Sequence, residues 1–200
     1  RGTTMAEYPS PFPEDHKKVI INPTVTSKYS DRSDDQYRKI AEICADIINA
    51  VPGNTVVFFP SYGFKDLVSR YLTTLARKTI LEEQGSLSKD EKQEMLDKFR
   101  SYHKAGAALL GVANGSFGEG IDLPGDFLKG VIVVGLPLQP PTLFVKQLIQ
   151  YYDNKYGKGW DYGYTLPAVT TSLQNAGRCI RTEADKGVIA FLDRRYAFPN

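Results

Sequence analysis

The sequence predicts an α/β fold, a three-layer domain with a central, mainly parallel sheet flanked by helices. Short apolar runs recur along the 200 residues without polar alternation, as strands do when both faces of a sheet are covered. Between them lie segments with apolar residues three and four apart, so strands and helices alternate as in βαβ crossovers. The length is that of one ordinary domain, enough to bury roughly two thirds of the surface its unfolded chain exposes.

In chain order, residues 1–9 read as an N-terminal extension and 10–200 as the domain. An Arg at position 1 ahead of an internal Met5 is what an excised piece of a longer protein is expected to show. Tyr8-Pro-Ser-Pro-Phe-Pro13 is a stiff lead-in, and Lys18-Val-Ile-Ile21 is the weakest strand candidate. A helix is expected from Ser33 to Ala50, opened by a Ser33/Gln36 capping box and stopped by Val51-Pro52-Gly53, with Cys44 on its buried stripe as a plain core residue. Thr55–Phe59 is a strand, and two helices follow, Phe64 to Leu81 and Ser88 to Tyr102, the second opened by a Ser88/Glu91 capping box. Ala107–Val112 and Val131–Leu136 are strands, Thr142 to Tyr156 a helix, and Tyr151 to Gly163 a Tyr/Gly-rich connection without clear period. A last helix from Ala168 to Arg181 precedes the strand Gly187–Leu192.

Composition excludes more than it selects. Hydrophobic content of 42% and charged content of 24% sit near globular averages, which argues against disorder and fibrous repeats. A net charge of +2 says little, because only a clustered distribution would mark a nucleic-acid surface. The two cysteines, Cys44 and Cys179, lack the paired spacing of a zinc site or a disulfide framework. No apolar run is long enough to span a bilayer and the start has no signal core, so a soluble protein without membrane association is expected, cytoplasmic in a prokaryote or nuclear in a eukaryote.

Three segments are candidates for chemistry. Gly115-Ser-Phe-Gly-Glu-Gly-Ile-Asp122 follows a strand, and its glycines allow backbone N–H groups to approach a phosphate or a base; a purely structural turn fits the same residues. A dinucleotide-binding reading needs a helix directly after Gly120, which Leu123-Pro-Gly125 opposes. In Gln174-Asn-Ala-Gly-Arg-Cys-Ile-Arg181, helical spacing puts Gln174, Arg178 and Arg181 on one face and Val169, Leu173, Ala176 and Ile180 on the other. Guanidiniums on a rigid helix suit a two-pronged grip on phosphate, although two surface arginines pairing with Glu183 or Asp185 give the same pattern. At Phe58-Phe-Pro-Ser-Tyr-Gly63, Ser61 either caps a helix or faces an anion at its N-terminus, and Tyr62 and Phe64 either stack on bases or belong to the core. A G-x-x-x-x-G-K-[ST] loop is absent, Asp90-Glu91 falls in a helical first turn, and His16 and His103 stand far apart.

Taken in order, these segments resemble the C-terminal motor domain of the XPD/DinG group of superfamily 2 helicases, a RecA-like domain. Val56–Ser61 is similar to that group's motif IV, Gly115–Asp122 to motif V and Gln174–Arg181 to motif VI, with Asp193-Arg-Arg-Tyr196 matching the terminal pattern. The likeness runs from about residue 10 to the end, and the ordered set is far more specific than any one motif. Thr165-Leu-Pro-Ala168 resembles archaeal XPD, whereas Phe117 and Pro124-Gly125 look closer to DinG. The pattern departs at Gly118, where many relatives carry a hydroxyl or a bulky aromatic residue.

The resemblance implies a helicase half-site. ATP and Mg²⁺ would be shared with a first RecA-like motor domain outside this chain, which would also hold any iron–sulfur cluster. Arg178 and Arg181 would contact the γ-phosphate, Gln174, Gly120 and Asp122 would lie on the ATP side, and Ser61, Tyr62, Ser116, Phe117 and Glu119 on the side of single-stranded DNA. The fragment alone would be inactive. The alternative is a stand-alone, non-catalytic RecA-like module that binds nucleic acid or a protein partner.

Overall fold

In the computed structural model, residues 5–7, 10–118, 123 and 125–197 are described. Six strands form one sheet: β1 (Lys17–Asn22), β2 (Thr55–Phe59), β3 (Thr79–Glu82), β4 (Ala107–Val112), β5 (Gly130–Val134) and β6 (Gly187–Leu192). Their order is β1-β6-β5-β2-β4-β3 and every pairing is parallel. The main helices are α1 (Asp34–Ala50), α2 (Tyr62–Leu75), α3 (Lys89–Ser101), α4 (Leu143–Tyr156) and α5 (Leu166–Ala176). None of the described helices is long and apolar enough to cross a membrane.

Each central strand serves two cores at once. Val56 and Phe58, Leu109, Val131 and Val133, and Ile189 and Phe191 face one side, where α3 lays Leu96 and Phe99 and α5 lays Ala176. Their neighbours Val57 and Phe59, Ala108 and Leu110, Ile132 and Val134, and Ala190 and Leu192 face the other, against Ile40, Cys44 and Ile48 of α1 and Val68 and Leu72 of α2. This two-sided alternation is why the runs read as continuously apolar. Truncating a fully buried aromatic such as Phe58 would cost about 3–5 kcal/mol.

Caps set the helix starts. Ser33, Ser61, Ser88 and Thr142 each accept the backbone N–H three residues on, and Ser88 with Glu91 completes a capping box. At α1 the reciprocal arm is not made, because the Gln36 side chain instead accepts the Thr26 N–H at 3.4 Å.

Three expectations need correction. The helix expected to run to Leu81 stops at Leu75, where Ala76 turns extended and the chain re-forms as the edge strand β3. No Gly or Pro marks that stop, and the strand's apolar pair Ile80-Leu81 continues a helical spacing by accident. The expected helix to Arg181 ends at Ala176 in a 3-10 turn, and Ile180 is extended with φ −127°. Its buried side is Ala168, Ser172, Asn175 and Ala176, whereas Leu173 is 58% exposed. The stretch from Tyr151 to Gly163 is ordered by the end of α4 and a π turn at Asp161–Thr165.

Candidate nucleic-acid and nucleotide interface

The segments around Ser61 and residues 113–118 meet where β2 and β4 end, whereas Arg181 lies toward the end where β1 and β6 begin. β2 leads through Pro60 into α2, whose first turn is closed by the exposed hydroxyl of Ser61 accepting the Phe64 N–H at 3.3 Å. Ser61 thus acts as a cap, and Phe64 is a core residue. Tyr62 stands at the rim with its hydroxyl donated to Glu83 at 3.0 Å. Burial and then the Glu83 carboxylate push its phenol up to about 12, so it stays a neutral donor.

Beyond β4 the chain turns sharply through residues 113–118. Gly118 is buried there, and a Cβ on it would overlap the Ala113 carbonyl, so no side chain fits this turn. A hydroxyl-bearing or aromatic side chain at this point therefore has no room in this loop. Lys92 of α3 donates to the Ser116 carbonyl and lies 5.5 Å from the Phe117 ring centre. Phe117 itself is fully buried in the core beneath the loop. Its expected place on a DNA surface is corrected accordingly, because a side chain packed among Phe58, Leu109 and Val133 presents nothing to a ligand. A cleft of about 550 Å³ remains between the loop and α3, lined by Tyr62, Ser88, Lys89, Lys92, Asn114 and Ser116.

The arginine segment grips the same loop from another side. Asn175 donates to the Ala113 carbonyl at 3.2 Å and the half-buried Arg178 donates to the Gly118 carbonyl. Arg181 does not share a helical face with Arg178 and Gln174, because helix ends before it. Instead its backbone N–H and that of Thr182 are held by Asp185 at 2.8 and 2.7 Å. Burial opposes ionisation of Asp185, but these N–H bonds prevail and hold its carboxyl below the usual range. Arg181 is exposed and lines a cleft of about 420 Å³ with Phe12, Lys17 and Ile189, and Gln174 is exposed on α5. Glu119, Gly120 and Asp122 lie outside the described residues.

Residues 44–200 match the helicase C-terminal domain model. The chain belongs to the helicase C-terminal domain family, in its XPD/DinG group. It is 33% identical over 216 residues to a probable ATP-dependent helicase, MJ0942, of Methanocaldococcus jannaschii, covering 98% of this chain and 32% of that protein. It is 30% identical to the ATP-dependent DNA helicase XPD of Sulfolobus acidocaldarius, over 90% of this chain and 32% of that one. A solved XPD helicase superposes on this helicase domain with TM-score 0.74 at 26% identity, covering 91% of this chain and 32% of that one. The domain spans about a third of the length of these relatives.

Two buried acids anchor this helicase domain, one within the terminal Asp193-Arg-Arg-Tyr196 segment and one that no motif marked. Asp193 is fully buried after β6 and receives the Ser27 N–H at 2.8 Å and Arg195 Nε at 2.8 Å, tying the chain after β1 to the end of the sheet. Glu83 does the same on the other side of the sheet, below Tyr62. The spacing of Asp193-Arg-Arg195 holds a signal for the first; nothing local announces the second. Both cysteines are buried, and burial raises their thiols, Cys179 to about 12, away from the thiolate form.

Proposed function

We propose that this chain is the second motor domain of an ATP-dependent DNA helicase, supplying arginines to an ATP site shared with a first motor domain and one wall of a groove for single-stranded DNA. The observation that carries the reading is the doubly held loop at 113–118. One side of it forms a cleft with Tyr62, Lys89 and Lys92, and its far end is gripped by Arg178. A ligand on either side therefore meets the same short piece of backbone.

The residues fit each role. Lys89 and the rim of Tyr62 offer a cation and a π face, the combination that holds a phosphodiester strand without reading its sequence. Arg181 is exposed on a segment whose N–H groups Asp185 has already fixed, so its guanidinium can reach outward from a rigid base. Such an arginine stabilises charge spreading over the transferring phosphoryl oxygens, an effect worth about 10³ to 10⁵ in rate. The phosphate loop and Mg²⁺ belong, in this reading, to the first motor domain.

Steady-state ATP hydrolysis by the full-length protein tests it. Arg181→Ala should lower DNA-stimulated turnover at least about 10³-fold with thermal unfolding unchanged, and Arg181→Lys should restore little because an ammonium lacks the planar fork. Turnover within a few-fold of the unmodified protein would remove this segment from the active site, since a surface ion pair is worth only about 0–1 kcal/mol.

A further inference from the structure

Glu83 is buried to the last atom, yet it follows an edge strand and sits beside the half-exposed Glu82. Its carboxylate is met by hydrogen-bond donors. Oε2 accepts the Val112 N–H at 2.8 Å; Oε1 accepts the Phe117 N–H at 3.3 Å and the Tyr62 hydroxyl at 3.0 Å. Its main chain is fixed as well: its N–H donates to Leu110 O at 2.8 Å, and the buried Lys65 Nζ donates to its carbonyl at 2.9 Å. Gly115 makes the approach feasible, since a Cβ there would stand 2.9 Å from Glu83 Oε1 and 3.0 Å from the Tyr62 hydroxyl.

Burying a carboxylate is expensive, and a well-packed apolar group is usually the more stable choice for a core. What the carboxylate provides here is placement. Its two oxygens span both ends of the turn, at 112 and 117, and the rim residue Tyr62. Only an acceptor-only group matches that set of donors; an amide would turn its NH₂ toward an N–H or the phenol. We infer that Glu83 is a positioning residue for strand binding: it locks the 113–118 loop and the Tyr62 ring into the two walls of the cleft. This inference rests on the nucleic-acid reading above and adds to it the group that shapes the site without touching the ligand.

The test uses the full-length protein with Glu83→Gln and, as the milder change, Tyr62→Phe, which keeps the ring and removes one bond. The probe is a deoxythymidine oligonucleotide. With Glu83→Gln, the oligonucleotide concentration giving half-maximal ATP hydrolysis should rise about tenfold or more, while the rate at saturating oligonucleotide and the KM for ATP stay within about threefold. Amide exchange at Val112 and Phe117 should speed up about tenfold in the same variant, and about threefold at Phe117 in Tyr62→Phe. Should Glu83→Gln fail to fold, Tyr62→Phe carries the test, with half-activation shifted about threefold. Unchanged exchange at both amides, or a fall in saturating rate matching the loss of half-activation, would overturn the positioning role. An unmodified protein whose ATP hydrolysis ignores the oligonucleotide would sink the functional reading itself; one that responds normally while its variants behave identically sinks only the inference about Glu83.

Discussion

The two ends of the sheet are each held by a buried polar residue, but by opposite chemistry. At the end where the strands begin, Asn54 donates to the carbonyls of Phe99 at 2.7 Å and Phe127 at 3.2 Å and accepts the Ala107 N–H at 2.9 Å. It is neutral and uses both halves of its amide. Where the strands finish, Glu83 and Asp193 only accept, gathering N–H groups, hydroxyls and, for Asp193, a guanidinium. An amide suffices where donors and acceptors are mixed. Asp185, just before β6 begins, is a buried carboxylate too, but it holds only the neighbouring N–H groups of Arg181 and Thr182, whereas Glu83 and Asp193 gather donors from distant elements where the strands finish.

Swapping the chemistry at the first end should break that contrast most. Asn54→Asp sets a carboxylate against two carbonyl oxygens in a fully buried site and should cost about 3–5 kcal/mol, read as a lower midpoint in urea unfolding. A loss below 1 kcal/mol would mean that the amide donor is dispensable there. Gly118→Ala comes next. Its methyl must displace the Ala113 carbonyl, so the loop shifts and Arg178 loses its acceptor, at about 1–3 kcal/mol. Retention of full stability would show that the turn is not as tight as drawn.

Acid then tests Asp193. Burial opposes the charge on Asp193, but bonds from Arg195 and the Ser27 N–H hold its carboxyl below the usual range. A depressed carboxylate contributes stability that is fully present above its unfolded value and is lost as pH falls through the folded one. Stability should therefore decline below about pH 4, and Asp193→Asn should flatten that decline in thermal scans across pH 2–6. A variant with an equally steep acid limb would assign the loss to other carboxylates. The smallest effect belongs to Lys89, exposed at the cleft rim. Lys89→Ala should reduce the salt slope of single-strand binding by about one without changing stability.

What the sequence disclosed follows the range of the interactions involved. The strands with uninterrupted apolar runs and the Ser61 cap were legible because each is announced within a few residues, whereas Tyr62 and Ser116 were put on one side only through the family resemblance. Glu83 was not legible. In the chain it is one of two adjacent acids on a weak strand, and its partners Val112 and Phe117 are 29 and 34 residues away. The end of α5 was misread for a related reason. A helical wheel drawn through Arg181 put Leu173 inside, whereas Leu173 faces outward and Ser172 is the residue buried, against the Tyr196 hydroxyl at 2.7 Å. A partner twenty-four residues off decided which face was the core.

The strand order also governs how the molecule can come together. β1 pairs along its whole length with β6, the first strand with the last, from Lys17 opposite Gly187 to Asn22 opposite Leu192. On the ribosome, β1 therefore emerges long before β6, its neighbour in the sheet among the described residues. Until β6 follows, Val19 and Ile21 have no ladder to join, and the sheet lacks the strand that links β1 to β5. Closure is a late, long-range event of the slow class that parallel pairings impose. A chain interrupted before Gly187 leaves β1 without its template, so the sheet of this domain closes only when its last strand has been made.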